Sequence, residues 1–458
     1  MRHKLQQQPS LLPAPAAPAE HRHVRELAVI SRILDAHPQF LDMVLADLPK
    51  GRKNPRTGRP GLTADQVLRV LVLKQMHGFS YDELAFHVGD SVSFREFCRI
   101  DPYEVAPKRS TLQLNVKRVR ASTLEEINEV LVMHARATGV EAARKVRIDC
   151  TVIAANIHEP TDGQLLLDVV RVLTRLMGRA RDRFGLRFRD RTRRAKRRAM
   201  NVLHAKKATV RQTAYVDLLA ATNDTLADAR RLRVELEDVK ARDLMDLVHA
   251  EAIRHGLERF VGLGERVEDQ THRRVVLGEK VPAEEKRVSI FEDHADIIVK
   301  DRRDVHYGHK LCLATGASGL VLDAVVLDGN PADSTLAVEM IDRQARIQGR
   351  VPRQAALDGG FCSRANLAAI KTRGVEDVCF SKGRGLEIAD MARSTWVYRK
   401  LRDFRAGVEG GISFLKRCFG LRRCTWQGLA SFHAYTWASI VSANLLLLAR
   451  HVLAAGAG

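Results

Sequence analysis

The order in which strand-like and helix-like patterns follow one another constrains the fold of this chain most strongly. Residues 145–157, KVRIDCTVIAANI, alternate and are rich in β-branched side chains, which predicts a buried strand that carries Asp149. From Pro160 to about residue 260 the apolar spacing is helical, and strand patterns return at Arg287–Phe291 and Asp296–Val299. This order predicts a mixed α/β domain that is interrupted by a long helical insertion.

The remaining patterns complete the α/β domain. Two strand-like segments on either side of the turn Gly316-Ala317-Ser318-Gly319 predict a β-hairpin. The predicted elements are the hairpin strands Lys310–Thr315 and Leu320–Leu327, a helix Ser334–Gln348, a strand Gln354–Leu357, a helix Arg364–Lys371, a strand Val375–Phe380 and helices from Trp396 onward. We therefore assign the catalytic domain to residues 141–450 and its basic helical insertion to about residues 163–285.

Residues 1–60 are interpreted as a flexible arm followed by a basic linker. The first 24 residues contain four prolines among Ala and Gln and show no apolar period. Residues 50–60, KGRKNPRTGRP, combine cations with Gly and Pro, a composition typical of linkers.

Residues 61–140 predict a helical domain. Thr63 is a candidate N-cap for a first helix, Gly78 and Ser80 interrupt the apolar spacing, and a second helix begins at Tyr81. A third segment at Val92–Ile100 and a basic helix at Leu112–Val119 follow. This arrangement is typical of a DNA-binding helix-turn-helix unit, and the alternative is an ordinary helical core without DNA contact.

The charge of the chain points to a polyanionic partner. Lys and Arg number 75 against 55 Asp and Glu, a net charge of +20. Residues 178–207 hold thirteen of these cations and two Asp, and they include Arg193, Arg194, Arg197 and Arg198. Arginine binds phosphate oxygens bidentately, so we expect this run to contact DNA; the alternative is a solvated helix face.

Several other classes of protein are disfavoured by the sequence. Seven scattered cysteines do not indicate a disulfide framework, and the apolar run Trp437–Ala449 is short for a membrane span. The start of the chain has no apolar segment of a secretory leader. No G-x-x-x-x-G-K-[ST] motif occurs, so we expect no nucleotide cofactor. We expect a soluble, cytoplasmic protein with no membrane partner, which associates with the nucleoid when bound to DNA.

Three acidic residues are candidates for a metal-dependent active site. Asp149 lies in the first strand, Asp358 at the carboxyl end of a later strand, and Glu409 in the segment FRAGVEGGISFLKR. Strand ends are where open α/β sheets bind ligands, and paired Mg2+ ions need carboxylates that project into one cleft. Each carboxylate could instead be a helix cap or a salt-bridge partner, because acidic triads of this spacing are common.

Cations accompany Glu409 on one helix face. Arg405 and Glu409 are separated by four residues, and Lys416 lies seven residues beyond Glu409. A carboxylate flanked by cations is suited to holding a metal beside a DNA phosphate, although an ion pair on a surface helix is commonplace.

The sequence resembles a known family at this point. Arg405-x-x-x-Glu409-x6-Lys416 is similar to the C-terminal signature of bacterial insertion-sequence DDE transposases. Five further segments resemble the ISNCY-type group of that family: RIDCTVIAANIHEPTD (147–162), VSIFEDHADIIVK (288–300), YGHKLCLATGASGLVLDAVVLDGNPADS (307–334), LDGGF (357–361) and LRDFRAGVEGGISFLKRCFGLRRCTW (401–426). The resemblance extends from about residue 60 to 450.

The resemblance implies an RNase H-like, mixed-sheet catalytic core with Asp149, Asp358 and Glu409 as the catalytic and metal-binding triad. The implied cofactor is Mg2+, with Mn2+ as an alternative, and the implied DNA ligands include Arg405 and Lys416. The wider class carries Tyr three residues before the signature Arg, whereas here Arg402 holds that position and Tyr398 lies one turn earlier.

The leading hypothesis is a DNA transposase that hydrolyses a phosphodiester at the element end and transfers the freed 3'-hydroxyl to target DNA. We expect it to bind the terminal inverted repeats and target as double-stranded DNA, as a homodimer or higher oligomer. One alternative is a non-catalytic DNA-binding repressor derived from a transposase, which the intact acidic residues disfavour. Another is a structure-specific nuclease, which would cut DNA without joining strands.

Overall fold

The computed structural model describes residues 2–5, 20–48, 61–239, 242–300 and 304–456. These residues form two compact units, which are described separately below. Unit 1 comprises residues 1–154 and 309–458, and unit 2 comprises residues 155–308. The predicted linker at residues 50–60 lies wholly outside the described residues.

Seven helices open unit 1. They are α1 (Arg22–Asp35), α2 (Gln39–Asp47), α3 (Ala64–His77), α4 (Tyr81–Asp90), α5 (Val92–Phe97), α6 (Arg109–Val116) and α7 (Ala121–Ala137). Helices α1 and α2 lie inside residues 1–60, for which the sequence predicts a flexible arm and a linker. They bury apolar residues such as Ile30 and Phe40, so residues 22–47 belong to the folded core.

Helix α3 begins and ends as the sequence predicts. The Thr63 hydroxyl accepts the N–H of Gln66 at 3.2 Å, and the Gln66 side chain accepts the N–H of Thr63 at 3.0 Å, which forms a capping box. Gly78 ends the helix with φ 65°, a left-handed conformation that favours glycine. Between these residues α3 is almost wholly buried, including Arg69, which pairs with Asp65 at 2.6 Å.

Strand β1 (Lys145–Ala154) follows, and the chain then enters unit 2. The helices of unit 2 are α8 (Asp162–Phe184), α9 (Thr192–His204), α10 (Ala208–Glu235) and α11 (Leu244–Thr271), followed by a π-helical turn at His272–Val276. They pack around their own apolar core, which includes Leu166, Val170, Leu219 and Leu257. Strand β2 (Asp296–Lys300) pairs antiparallel with the first residues of β3 (Asp304–Thr315).

The predicted strand at Arg287–Phe291 is wrong. Val288 and Ile290 are buried there, but the backbone bonds to side chains instead of a neighbouring strand. The Ser289 hydroxyl accepts the N–H groups of Phe291 and Glu292 at 3.1 Å each. Val288, Ser289 and Ile290 are all buried, so the alternating sequence pattern does not correspond to a strand with two different faces.

The remaining elements of unit 1 follow the predicted order. They are β4 (Val321–Leu327), α12 (Ala337–Gln348), β5 (Gln354–Leu357), α13 (Arg364–Thr372), β6 (Asp377–Phe380), α14 (Ile388–Met391), α15 (Thr395–Cys418) and α16 (Leu429–Ala455). The hairpin of β3 and β4 is confirmed. Strands β3, β1, β5 and β6 are neighbours in that order, β4 pairs with β3, and β1, β5 and β6 run parallel. The result is a mixed sheet within an α/β fold, consistent with an RNase H-like core.

Helix α16 is longer than the apolar run Trp437–Ala449, which by itself is short for a membrane span. By length and composition it is the one described helix that could cross a membrane, with a mean hydropathy of 1.6. Its most apolar window is 61% buried, and the helix packs against α1, α3 and α7. It forms the apolar centre of unit 1.

Candidate active site

The parallel strands place Asp149, Asp358 and Ser381 side by side. Ile148 pairs with Leu357, and Leu357 pairs with Phe380. Asp149, Asp358 and Ser381 directly follow these three paired residues on β1, β5 and β6. Because neighbouring strands lie about 4.8 Å apart, their side chains meet at one edge of the sheet. Two of the three predicted acidic residues are thus brought together by strand register.

Arg405 of α15 contacts both aspartates. Its Nη2 atom lies 2.8 Å from Asp358 Oδ1 and 3.4 Å from Asp149 Oδ2. Its Nη1 atom lies 3.8 Å from Glu409 Oε1. One guanidinium therefore lies among all three acids of the predicted triad. The side chains of Arg405 and Asp149 are 15% and 14% exposed, so their attraction is only partly screened by water.

Glu409 differs from the two aspartates in its exposure. Its side chain is 74% exposed, against 37% for Asp358. Within the described ranges no three His, Cys, Asp or Glu side chains are close enough together to hold a metal ion. Glu409 thus lies on the same helix face as Arg405, but its carboxylate does not close a three-ligand cluster with Asp149 and Asp358.

The environment of Asp358 favours its ionised form. Burial raises the pKa of this carboxyl, but hydrogen bonds from Ser381 and the Gly359 N–H, together with the Arg405 charge, lower the pKa below its ordinary value. The Ser381 hydroxyl donates to Asp358 Oδ1 at 2.7 Å and accepts the N–H of Gly359 at 2.7 Å. Ser381 fixes the carboxylate and the turn that follows β5.

The two glycines after Asp358 permit close packing. An added Cβ at Gly359 would lie 2.9 Å from Lys382 Cβ, and one at Gly360 would lie 2.6 Å from Asp333 Oδ2. The Asp333 carboxylate therefore lies beside Gly360, and it pairs with Lys310 at 2.5 Å. The immediate neighbours of these two glycines are protein side chains.

Arg147 ties α15 to the sheet two residues before Asp149. Its Nη1 donates to the carbonyl oxygen of Phe404 at 3.0 Å, and its Nε donates to the Thr315 hydroxyl at 2.9 Å. Gly407 faces this guanidinium, and a Cβ there would overlap it. Arg147 therefore fixes the position, relative to the sheet, of the α15 turn that carries Arg405.

Sequence reasoning missed Ser381 and Arg147 as parts of the site. Ser381 directly follows β6, so the rule that parallel strand ends converge on a site would have found it. Arg147 lies two residues before Asp149 and hence on the same face of β1, which is the corresponding signal.

Tyr398 and Lys416 occupy other positions on α15. The Tyr398 hydroxyl donates to the carbonyl oxygen of Phe380 at 2.8 Å, so this ring packs against the end of β6. Arg402, which holds the usual Tyr position, is exposed. Lys416 is half-buried near the end of the helix, away from the contacts of Arg405.

The four predicted DNA-binding arginines lie on α9 in unit 2 and fall into two groups that differ in their partners. Arg194 and Arg198 both pair with Asp217 of α10. Arg193 and Arg197 are exposed and form no ion pair with a described residue. The hydrogen bond to Arg194 lowers the pKa of Asp217, against a smaller opposing effect of burial. Half of the predicted phosphate contacts therefore already neutralise a carboxylate.

Two family models match the chain at separate places. The Transposase domain (DUF772) matches residues 17–118, and the Transposase DDE domain matches residues 289–445. The second match includes Asp358, Arg405 and Glu409, while Asp149 and most of unit 2 lie outside both. Neither the comparison with curated proteins nor that with solved structures gave a match. Both matched domains are transposase domains, and the chain belongs to the insertion-sequence DDE transposases.

Proposed function

We propose that this transposase cuts a phosphodiester at each end of an insertion sequence and joins the freed 3'-hydroxyl to target DNA. The observation that carries the proposal is the convergence of Asp149, Asp358 and Glu409 on the Arg405 guanidinium. The environment of this cluster also lowers the pKa of Asp358, and perturbed pKa values cluster at functional sites.

We propose Asp149, Asp358 and Glu409 as the ligands of Mg2+, with Mn2+ as an alternative. Their oxygens are the hard donors that these cations prefer, and the two aspartates already share one positive group. When bound, the metal supplies activation of the attacking oxygen and charge stabilisation at the phosphate. Glu409, being exposed, is the ligand that has to change its side-chain conformation.

The protein side chains have distinct roles in this proposal. Ser381 keeps Asp358 ionised and oriented, and Arg147 holds the α15 turn at the sheet edge. Arg405 neutralises the two aspartates in the absence of metal and is placed to contact the phosphate once the metal takes over that role. Lys416 and the exposed Arg193 and Arg197 are proposed to contact DNA backbone.

The helical region before β1 is proposed to read the element ends through α6. Helix α3 is almost wholly buried, so it presents no side to DNA. Ser110, Leu114 and Lys117 are exposed at a spacing that places them on one side of α6. This side suits a helix that enters a major groove in a helix-turn-helix arrangement.

We further propose that the chain belongs to the ISNCY-type group, as its sequence segments suggest, and acts as a homodimer or higher oligomer on double-stranded DNA in the cytoplasm. Two element ends and a target have to be held together for strand transfer, which one active site does not achieve alone.

The test of the proposed function is replacement of each acid by its amide. Asp358→Asn should abolish both cleavage and strand transfer in Mg2+ on a duplex that carries the element end. Asp149→Asn and Glu409→Gln should do the same, because a shared metal site fails when any ligand fails. Each amide keeps the shape of the acid, and DNA binding should be retained.

Asp403→Asn is the matched control, because Asp403 is an exposed acid on the same helix. It should keep full activity. A repressor would show no cleavage even in the unmodified protein, and a nuclease would yield cut DNA without joined products. Strand transfer by Asp358→Asn in Mg2+ would refute the assignment.

A further inference from the structure

A second charged site lies at the opposite ends of the same strands. A pocket of about 360 Å3 opens where β1 and β5 begin, beside the first turns of α15. We call it the basic pocket. It is lined by five cations and one tryptophan: Arg144, Lys145, Arg353, Arg393, Lys400 and Trp396.

The cations of the basic pocket exceed its acids. Arg353 pairs with Glu376 at 2.7 Å, and Arg393 lies 3.5 Å from Asp377. The other three cations, Arg144, Lys145 and Lys400, are exposed and have no acidic partner in the part of the chain that the structure describes. Three uncompensated charges around one concavity attract an anion.

Trp396 is unusual among the three tryptophans of the chain. Its side chain is 67% exposed, whereas Trp426 and Trp437 are 3% and 4% exposed. The Lys400 ammonium lies 5.9 Å from the centre of the Trp396 ring. An exposed indole among cations is the combination with which proteins bind single-stranded nucleic acid, because bases stack on the ring and phosphates pair with the cations.

The basic pocket is separate from the candidate active site. Trp396 and Glu409 are thirteen positions apart on one helix, which is about 20 Å at 1.5 Å per residue. Gln354 and Asp358 are four positions apart along the strand, about 13 Å at 3.3 Å per residue. At 3.4 Å per nucleotide of B-form DNA, these lengths correspond to roughly four to six nucleotides.

We propose that the basic pocket binds one unpaired nucleotide of a DNA strand, with its base stacked on Trp396 and its neighbouring phosphates on Arg144, Lys145 and Lys400. The volume suits a single nucleotide, since pockets for small ligands begin at roughly 300 Å3, and a duplex is far wider. That the bound polymer is DNA rests on the proposed function. The base stacking and the phosphate contacts are inferred from the residues of the basic pocket alone.

The exposure of one tryptophan gives a direct test. The full chain, in EDTA to prevent cleavage, is titrated with an oligonucleotide of twelve thymidines while tryptophan emission is recorded. Stacking on Trp396 should quench the emission, since the other two indoles are buried. Trp396→Phe should remove the quenching but keep the affinity measured by anisotropy of a labelled oligonucleotide. Trp396→Ala should weaken binding about tenfold, because one stacked base is lost.

Charge variants locate the phosphate contacts. Arg144→Ala with Lys145→Ala should lower the affinity measured by the quenching titration and make that affinity less dependent on salt concentration. Arg175→Ala with Arg266→Ala removes the same charge at exposed positions of α8 and α11 and should leave the quenching titration unchanged. No quenching in the unmodified protein, or unchanged affinity in both Trp396→Ala and the Arg144/Lys145 variant, would overturn the proposal.

Two competitors distinguish other occupants. Thymidine monophosphate should compete only weakly, and a blunt duplex should leave the emission unchanged. Competition by the monophosphate as strong as that by the oligonucleotide would make the site a mononucleotide site and overturn the strand proposal, and equal quenching by the duplex would overturn the stacking role. Asp358→Asn should quench normally while it fails to cleave, so a failed active-site assignment and a failed pocket assignment give different results.

Discussion

The two ends of the parallel strands β1, β5 and β6 differ in charge and in how that charge is satisfied. At the amino ends, Arg144, Lys145 and Lys400 face solvent without an acidic partner among the described residues. At the carboxyl ends, Arg405 is surrounded by carboxylates. The comparison shows that the cations behind a net charge of +20 form two populations, one paired with carboxylates and one unpaired. In our proposal the unpaired cations contact DNA without first losing a carboxylate partner.

Helix α9 repeats this difference on a smaller scale. Arg194 and Arg198 are paired with Asp217, whereas Arg193 and Arg197 are exposed. Within one turn of helix, neighbours in the sequence therefore belong to different populations. Removing paired cations should change stability, and removing unpaired cations should change DNA binding.

The largest effect is expected for Arg405→Ala in the absence of metal. Without the guanidinium, Asp149 and Asp358 repel each other at a half-buried site, which should destabilise the protein by about 2 kcal/mol and lower the melting temperature by a few degrees. Mg2+ or Mn2+ should then raise the melting temperature more than in the unmodified protein, because the metal replaces the missing charge. Thermal melts in EDTA and in metal measure both effects.

Arg402→Ala is the control for this prediction, since Arg402 is an exposed cation on the same helix. It should melt like the unmodified protein in either buffer. An Arg405→Ala protein with the unmodified melting temperature and the unmodified response to metal would show that Arg405 and the metal do not share the two aspartates.

A smaller effect should separate the two arginine pairs of α9. Arg193→Ala with Arg197→Ala should lower the slope of log affinity against log salt by about 2, since two phosphate contacts are lost. Arg194→Ala with Arg198→Ala removes the same charge but should chiefly lower the melting temperature, because Asp217 loses its partners. Equal changes of salt slope for the two variants would mean that the pairing with Asp217 is released on DNA.

The smallest effect is expected for Ser381→Ala. This change removes the hydrogen bond to Asp358, worth about 1 kcal/mol. The pKa of Asp358 should rise, so the carboxylate becomes protonated, and metal binding is lost, at a higher pH than in the unmodified protein. The measurement is the pH midpoint at which half of the metal binding is lost. Ser363→Ala, which removes a helix cap instead, should leave this midpoint unchanged. An unchanged midpoint in Ser381→Ala would leave Ser381 with a purely structural role.

The sequence predicted those parts of the site that local patterns encode. The strand that ends at Leu357 and the helix that carries Arg405 and Glu409 follow from apolar spacing, and they place Asp358 and Glu409 correctly on strand end and helix face. The position of Arg405 between the aspartates was not predictable, because it depends on where Arg147 holds α15 along its axis relative to the sheet. The spacing of residues along a helix does not determine where the helix packs on the sheet.

Other differences have equally local causes. The predicted strand at Arg287–Phe291 failed because side-chain hydrogen bonds from residues such as Ser289 satisfy its backbone. Helices α1 and α2 were missed because the prolines around them suggested a flexible arm. The basic pocket combines residues from β1, β5 and α15 that are distant in sequence, so only the tertiary fold brings its charges together.

The central claim, that Asp149 and Asp358 bind a divalent metal at the carboxyl ends of the strands, is tested most directly by a Mn2+ titration of the full chain. The electron paramagnetic resonance signal of free Mn2+ reports binding without reference to cleavage. Asp149→Asn and Asp358→Asn should each weaken the site at least tenfold, as expected when a ligand to the metal is lost, and Asp403→Asn should bind like the unmodified protein. Unchanged Mn2+ affinity in both aspartate variants would contradict the account.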